Sequence, residues 1–177
     1  WGENQDYQLG TNGPSYRANP ATVVGLSNVV SVAAGQRHGL ALRSDGSVWA
    51  WGRGANGRLG NGATSNRSTP VQATAAGFSN AIAIAAGHAH SMAITADGSV
   101  WVWGDNASGQ LGLGDYGERH NPTRIPRFNV FDRLPAVSIT WPTNAVATDG
   151  AGDLAIQVNA SDPDGTVRQL AERAAAK

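Results

Sequence analysis

The stretch Ala83-Ile84-Ala85-Ala86-Gly87-His88-Ala89-His90-Ser91-Met92-Ala93-Ile94-Thr95-Ala96-Asp97-Gly98-Ser99-Val100-Trp101-Val102-Trp103-Gly104 decides the fold, because residues 31–52 repeat it. Shifted by 52 positions, residues 31–62 and 83–114 are identical at 17 of 32 sites. Further marks keep the register: Trp1-Gly2, Trp51-Gly52 and Trp103-Gly104, then Leu9-Gly10, Leu59-Gly60 and Leu111-Gly112, then Pro20, Pro70 and Pro122. Each copy reads as short strands. In the first, Val29–Ala34 is a β-branched and small-residue run closed by Gly35, Leu40–Leu42 follows His38, and Ser47–Trp51 follows Asp45-Gly46. In the second, Ile82–Ala86, Met92–Thr95 and Val100–Trp103 stand in the same order around Gly87, His90 and Asp97-Gly98. Asp-Gly favours a tight hairpin because glycine tolerates positive φ. Alternation along a strand puts Val48 on one face and Trp49 and Trp51 on the other.

No helical period runs through this region, so the expected class is all-β, built from antiparallel sheets. A unit of about 50 residues that contains a hairpin fits a propeller blade rather than a parallel β-helix coil. The small runs Ala33-Ala34-Gly35 and Ala85-Ala86-Gly87 suit an innermost strand crowded against a central axis. No Gly-Gly pair of the kelch type occurs.

The combined pattern Ala-Ala-Gly-x-x-His-x-x-Ala-Leu/Ile, Asp-Gly-Ser-Val-Trp-x-Trp-Gly and Asn-x-x-Gly-Gln-Leu-Gly-Leu-Gly resembles the regulator-of-chromosome-condensation repeat. Residues 87–114 carry it most fully, with Asp97–Gly104, Asn106 and Gly109–Gly114. The resemblance implies a β-propeller whose blades close into a ring and serve as a protein-binding platform. It implies structural roles for the repeated positions Gly35, His38, Asp45, Gly46, Trp49, Trp51 and Gly52, and for Gly87, His90, Asp97, Gly98, Trp101, Trp103 and Gly104. Residues 1–126 hold about two and a half repeats, at 1–50, 51–102 and a partial 103–126. Residues 127–134 read as a linker. Residues 135–167, with strands at Pro135–Trp141 and Leu154–Ala160, resemble the opening of a bacterial immunoglobulin-like module, which needs about 100 residues. The Ala-rich tail 168–177 favours helix but is shorter than the roughly 12–15 residues at which isolated helices become marginal. The chain is therefore expected to be part of a larger protein, and the second module's likeness implies an extracellular or cell-surface location in a bacterium.

Composition narrows the chemistry. Thirteen basic and thirteen acidic residues balance, which argues against broad electrostatic binding to nucleic acid or an anionic membrane. The absence of Cys removes disulfides, thiolate metal sites and a cysteine nucleophile. No apolar run approaches the roughly 18–20 residues that span a bilayer. There is no Gly-x-Ser-x-Gly elbow, and three Glu with scattered Asp form no evident acid–base pair. An enzyme is not expected, nor is a cofactor.

Specificity belongs where the copies differ, in loops. Gln36 and Arg37 stand against His88 and Ala89, Arg53-Gly54-Ala55-Asn56 against Asp105-Asn106-Ala107-Ser108, and Thr64–Arg67 against Asp115–Asn121. The binding candidates are Gln36, Arg37, Arg67, His88, Tyr116, Arg119 and His120; Arg and Tyr are the types enriched at interface hot spots. His88 and His90 are two apart, as in a metal pair on a strand, but His90 repeats His38 and so reads as structural. Asp162 and Asp164, with Asp149 and Asp153, offer hard oxygen ligands for Ca²⁺. Asp-Pro-Asp-Gly is equally ordinary turn chemistry, the preferred reading. The expected function is protein binding through these loops. Two alternatives stand beside it: a carbohydrate-binding module using Tyr7, Tyr16, Tyr116 or Trp141, and a structural element that self-associates through open blade edges.

Overall fold

The computed structural model describes residues 1–131 and four further short strands. Strand β1 (Gly2–Glu3) pairs with β2 (Tyr16–Arg17). Strands β3 (Val29–Ala34), β4 (His38–Arg43), β5 (Val48–Gly52) and β6 (Arg67–Gln72) form one antiparallel sheet in sequence order. Strands β7 (Ala81–Ala86), β8 (His90–Thr95), β9 (Ser99–Gly104) and β10 (Arg119–Asn129) form a second of the same order. Together they make one compact unit, Trp1–Val130. In the other unit, Phe131–Lys177, β11 (Ala136–Ile139) pairs antiparallel with β13 (Val158–Ser161), and β12 (Leu154–Ala155) with β14 (Arg173–Ala174). Two residues of the Ala-rich tail are thus strand, not helix.

The all-β partial propeller is what the repeat requires, with a shift of phase. The sequence copies begin at Trp-Gly, whereas the sheets begin at Val29 and Ala81. Each outer strand therefore comes from the copy after the one that supplies the other three. It also runs further than expected: β10 continues to Asn129, through Pro126 and into the stretch read as linker. The β1–β2 pair is the outer half of the sheet before.

Pleating explains how the sheets stack. Val48 and Ala50 of β5 face forward and join Trp101 and Trp103 of β9 in one core with Leu40, Leu42, Leu59, Ala73, Ala81 and Ala93. Phe78, from the connection 73–80, packs its ring 5.3 Å from Trp101 and 5.8 Å from Trp103. On the far side of β9, Val100, Val102 and Leu111 form a smaller cluster. The tryptophan face of each sheet thus meets the Val/Ala face of the one before. One expectation is corrected: Trp51, Trp101 and Trp103 are buried, but Trp49 is only half-buried. Position 26, which corresponds to Phe78, holds the smaller Leu26, and the guanidinium of Arg43 lies 5.9 Å from the Trp49 ring instead. Val29, Val30 and Val32 on β3 are likewise exposed.

A polar lock ties successive units. The Trp51 indole N–H donates to the Gln8 carbonyl at 3.0 Å, and the Trp103 indole N–H to the Arg58 carbonyl at 2.9 Å. Gly60 (φ 72°) makes room, since a Cβ there would meet Trp103 Nε1 at 2.8 Å. That is why Leu-Gly recurs. Ser91 Oγ–H donates to the same Arg58 carbonyl at 2.8 Å and accepts from His38 Nε2–H at 2.9 Å. The His38 ring lies over Gly35, where any Cβ would collide with it, and its Nδ1 has no partner. His90 repeats the arrangement over Gly87 but is only partly buried, because the described residues include no further sheet to cover it.

Two outcomes test the lock. Trp103→Phe removes one buried hydrogen bond and some packing volume, so it is expected to cost about 2–3 kcal/mol in urea unfolding. Trp49→Phe, whose indole N–H reaches only the half-exposed Ser47 hydroxyl, is expected to cost under about 1 kcal/mol. Burial first, then the fields of Arg58 and His90, pushes the His38 pKa from 6.5 down to about 4. A histidine kept neutral by folding stabilises fully above its unfolded pKa, and that stability fades as pH falls from about 6.5 toward 4. The chain is expected to lose about 2 kcal/mol between pH 7 and pH 5 through this group, a loss absent in His38→Gln, as read by chemical denaturation at both pH values.

Candidate functional site

The turns joining β3 to β4 and β7 to β8 and the long connections 53–66 and 105–118 gather at one end of the two sheets. Register puts them there: Gly52 pairs with both His38 and Arg67, and Gly104 with both His90 and Arg119. The hairpins at Asp45-Gly46 and Asp97-Gly98 lie at the opposite end, where Gly46 and Gly98 take positive φ of 77° and 81°. There the carboxylates of Asp45 and Asp97 accept from the N–H and hydroxyl of Ser47 and Ser99.

At the loop end Gln36 is exposed, and Arg37 is half-buried in an ion pair with Asp6 at 2.8 Å. The Asn66 amide donates to the other Asp6 oxygen at 3.0 Å. Burial alone would raise the Asp6 pKa; the bond from Arg37 and the charge of Arg53 more than offset it and hold the carboxyl below the ordinary range. The second junction repeats the geometry with different groups. The Asn56 amide donates to Glu118 at 3.0 Å, and the His120 ring lies 2.7 Å from the other Glu118 oxygen. His120 first, then Asn56, lowers the Glu118 pKa. Arg119 pairs with Asp115 at 2.5 Å, and Tyr116 stands 75% exposed beside Gly109.

The structure sorts the sequence candidates. Gln36, Arg37, His88 and Tyr116 lie in turns or connections at this end. Arg67, Arg119 and His120 do not lie in loops; they begin the outer strands β6 and β10. Arg17, Arg67 and Arg119 face Gly2, Gly52 and Gly104 in register, the same place in each sheet. Their spacing of 50 and 52 was visible in the sequence. The contact of Ser91 with His38 has the look of a nucleophile–base pair. Ser91 is wholly buried and its hydroxyl is spent on the Arg58 carbonyl, which leaves no reactive oxygen facing solvent. Among the described residues no three His, Asp or Glu come together to hold a metal ion. Asp149, Asp153, Asp162, Asp164 and Trp141 lie outside the described side chains.

Two buried residues have roles that the sequence reading did not assign them. Asn106 is fully buried, accepts from the Leu111 N–H and donates to Asp115, bracing the long connection; Asn4 does the same for Leu9. Arg58 is buried although it replaces the Gln8 and Gln110 of the other copies. It donates to the Ala55 carbonyl, the Asn56 side chain and the His88 carbonyl, all neutral acceptors.

Comparison with known proteins gives this scaffold its place. A model of the regulator of chromosome condensation (RCC1) repeat matches residues 1–42, 45–94 and 97–140, and a second model of the repeat matches 29–58 and 81–110. The third match reaches 140, beyond the boundary at 126 read from sequence. The RCC1 domain-containing protein RUG3 of Arabidopsis thaliana is 36% identical over 115 residues, 64% of this chain and 26% of that protein. The human E3 ubiquitin-protein ligase HERC2 is 33% identical over 165 residues, 89% of this chain and 3% of the ligase. The Arabidopsis ultraviolet-B receptor UVR8 is 35% identical over 154 residues, 85% of the chain and 35% of the receptor. Among solved structures, Prp20p of Saccharomyces cerevisiae superposes with a TM-score of 0.62 at 21% identity, over 97% of this chain and 40% of Prp20p. The chain thus spans about a third or less of these relatives by sequence. With three repeats matched over most of its length, it belongs to the RCC1 repeat family.

Proposed function

We propose that the chain is a non-catalytic, protein-binding portion of a propeller that meets its partner with the loop end of its sheets. One observation carries this reading: the bonds that build and stack the sheets repeat, while the side chains at the loop end change from copy to copy. Asp6–Asn66 in one junction becomes Asn56–Glu118 in the next, and Gln36-Arg37 becomes His88-Ala89. A scaffold that holds its frame and varies its rim is suited to recognition. The relatives support it: Prp20p is described by its binding to Gsp1p and histones, and also as bound to Kap60.

An extracellular bacterial setting is proposed from the likeness of residues 135–167 to an immunoglobulin-like opening; the antiparallel pairing of Ala136–Ile139 with Val158–Ser161 is compatible with it. Self-association has one specific observation in its favour. Trp1, Val23, Leu26, Val29, Val32 and Trp51 line an open groove of about 730 Å³ on the flank of the first sheet. Light scattering tests it, and a monomer at all concentrations removes it. A glycan role keeps only exposed Tyr16 and Tyr116 as platforms among the described residues.

The test of the main reading is site-specific photo-cross-linking. A photoreactive residue at Gln36, His88 or Tyr116 is expected to capture one stoichiometric protein from the native host, and one at Ser44 or Ala96, at the hairpin end, is not. Capture from the hairpin end alone would overturn the proposal.

A further inference from the structure

The loop end of the first sheet differs from that of the second in one consistent direction. At the four corresponding positions 37/89, 53/105, 58/110 and 66/118, the first has Arg37, Arg53, Arg58 and Asn66, and the second Ala89, Asp105, Gln110 and Glu118. Over these four positions the first has three cations and no carboxylate, and the second two carboxylates and no cation. These positions are joined in space. The Arg53 N–H donates to the Arg37 carbonyl at 2.8 Å, and the Arg58 guanidinium holds the carbonyl of His88 in the neighbouring turn.

Only Arg37 of the three cations has a contact ion pair among the described residues; Glu3 and Asp6 also act on Arg37 through space, and Asp105 and Asp6 on Arg58. Asp6 neutralises Arg37, and Asn66 occupies its remaining oxygen. Among the described residues, no carboxylate lies within ion-pair distance of Arg53 or Arg58. Arg58 is 4% exposed and bonded only to neutral oxygens. A buried cation without a counter-ion is costly, and either repeat neighbour shows that Gln serves the position. Burial first, then Arg53, lowers the Arg58 pKa, while Asp105 and Asp6 act against this from a distance. An unpaired cation beneath a half-exposed one raises the potential outside, where a carboxylate would be drawn.

We infer that Arg53, with Arg37 beside it and the buried Arg58 beneath, is the docking point for an acidic segment of the partner protein. This rests on the protein-binding reading and gives its partner a chemistry. Arg53 makes the direct contact, its guanidinium matching a carboxylate in a bidentate pair. Arg58 is a positioning residue that holds the His88 and Asn56 loops and supplies field from below. A peptide is favoured over nucleic acid because the cluster is short and bounded by Asp6 and Asp105. A continuous polyphosphate would meet those carboxylates, whereas a peptide can space its acids between them.

The test is fluorescence anisotropy of the full chain at about 150 mM salt, with three labelled probes: a twelve-residue Asp/Glu-rich peptide, a neutral Gly/Ser peptide and a single-stranded oligonucleotide. Acidic-peptide binding is expected to exceed the neutral peptide's and to weaken as salt rises. Arg53→Asp and Arg58→Gln, which restore residues native to the other copies, are each expected to weaken it about tenfold, the equivalent of 1.4 kcal/mol. Circular dichroism melts establish that both variants fold. Equal binding of acidic and neutral peptides, tighter binding of the oligonucleotide, or full affinity in folded Arg53→Asp would overturn the inference. If the cross-linked partner of the Gln36 site is still captured by Arg53→Asp, the loop face stands as an interface and the acidic segment falls.

Discussion

One hydrogen bond organises the rest of the molecule: the indole N–H of a β-sheet tryptophan reaching a backbone carbonyl in the unit before it. Trp51 reaches Gln8, and Trp103 reaches Arg58. Trp can bury a large apolar face only if its polar edge finds a partner. Supplying that partner from the preceding connection makes burial of the ring and stacking of the sheets a single event. Gly60 follows because the ring needs its space, and the Leu59 side chain because the same connection must anchor in the core. Ser91, itself held by His38, donates to the same Arg58 carbonyl, so one peptide oxygen receives two buried donors.

That economy explains what was legible in the sequence. Trp, the Gly before His, Leu-Gly and Asp-Gly each answer a steric or polar demand that recurs at every junction, so they appear as identities 52 residues apart. The inner three strands could be read from them. The outer strands could not. Arg67–Gln72 and Arg119–Asn129 carry polar residues and Pro70 or Pro122, lack alternation, and pair on one side only. An edge strand tolerates proline and weak patterning because half its backbone groups need no strand partner. The phase of the sheets was hidden with them.

The loop face was legible as a location and not as a set of contacts. Differences between the copies pointed to positions 36–37, 53–56 and 64–67. What the side chains do there depends on pairs 31 to 62 residues apart, such as Asp6 with Arg37 and Asn56 with Glu118, which no local pattern encodes. Arg58 is the sharpest case. Long charged side chains are almost always exposed, and nothing short of the packed junction reveals that this one is enclosed by carbonyls.

The offset between copy and sheet bears on how such a chain is made. Three strands of each sheet emerge from the ribosome together, but the fourth arrives only after a further connection, with Arg67 fifteen residues beyond Gly52 and Arg119 fifteen beyond Gly104. Until then β5 or β9 is an open edge, and the tryptophan lock also draws its carbonyl from the copy before. Each blade therefore matures one step behind synthesis, fastened from both directions along the chain. A sheet is thus four-stranded only once the outer strand of the next copy is in place, which couples neighbouring copies along the chain.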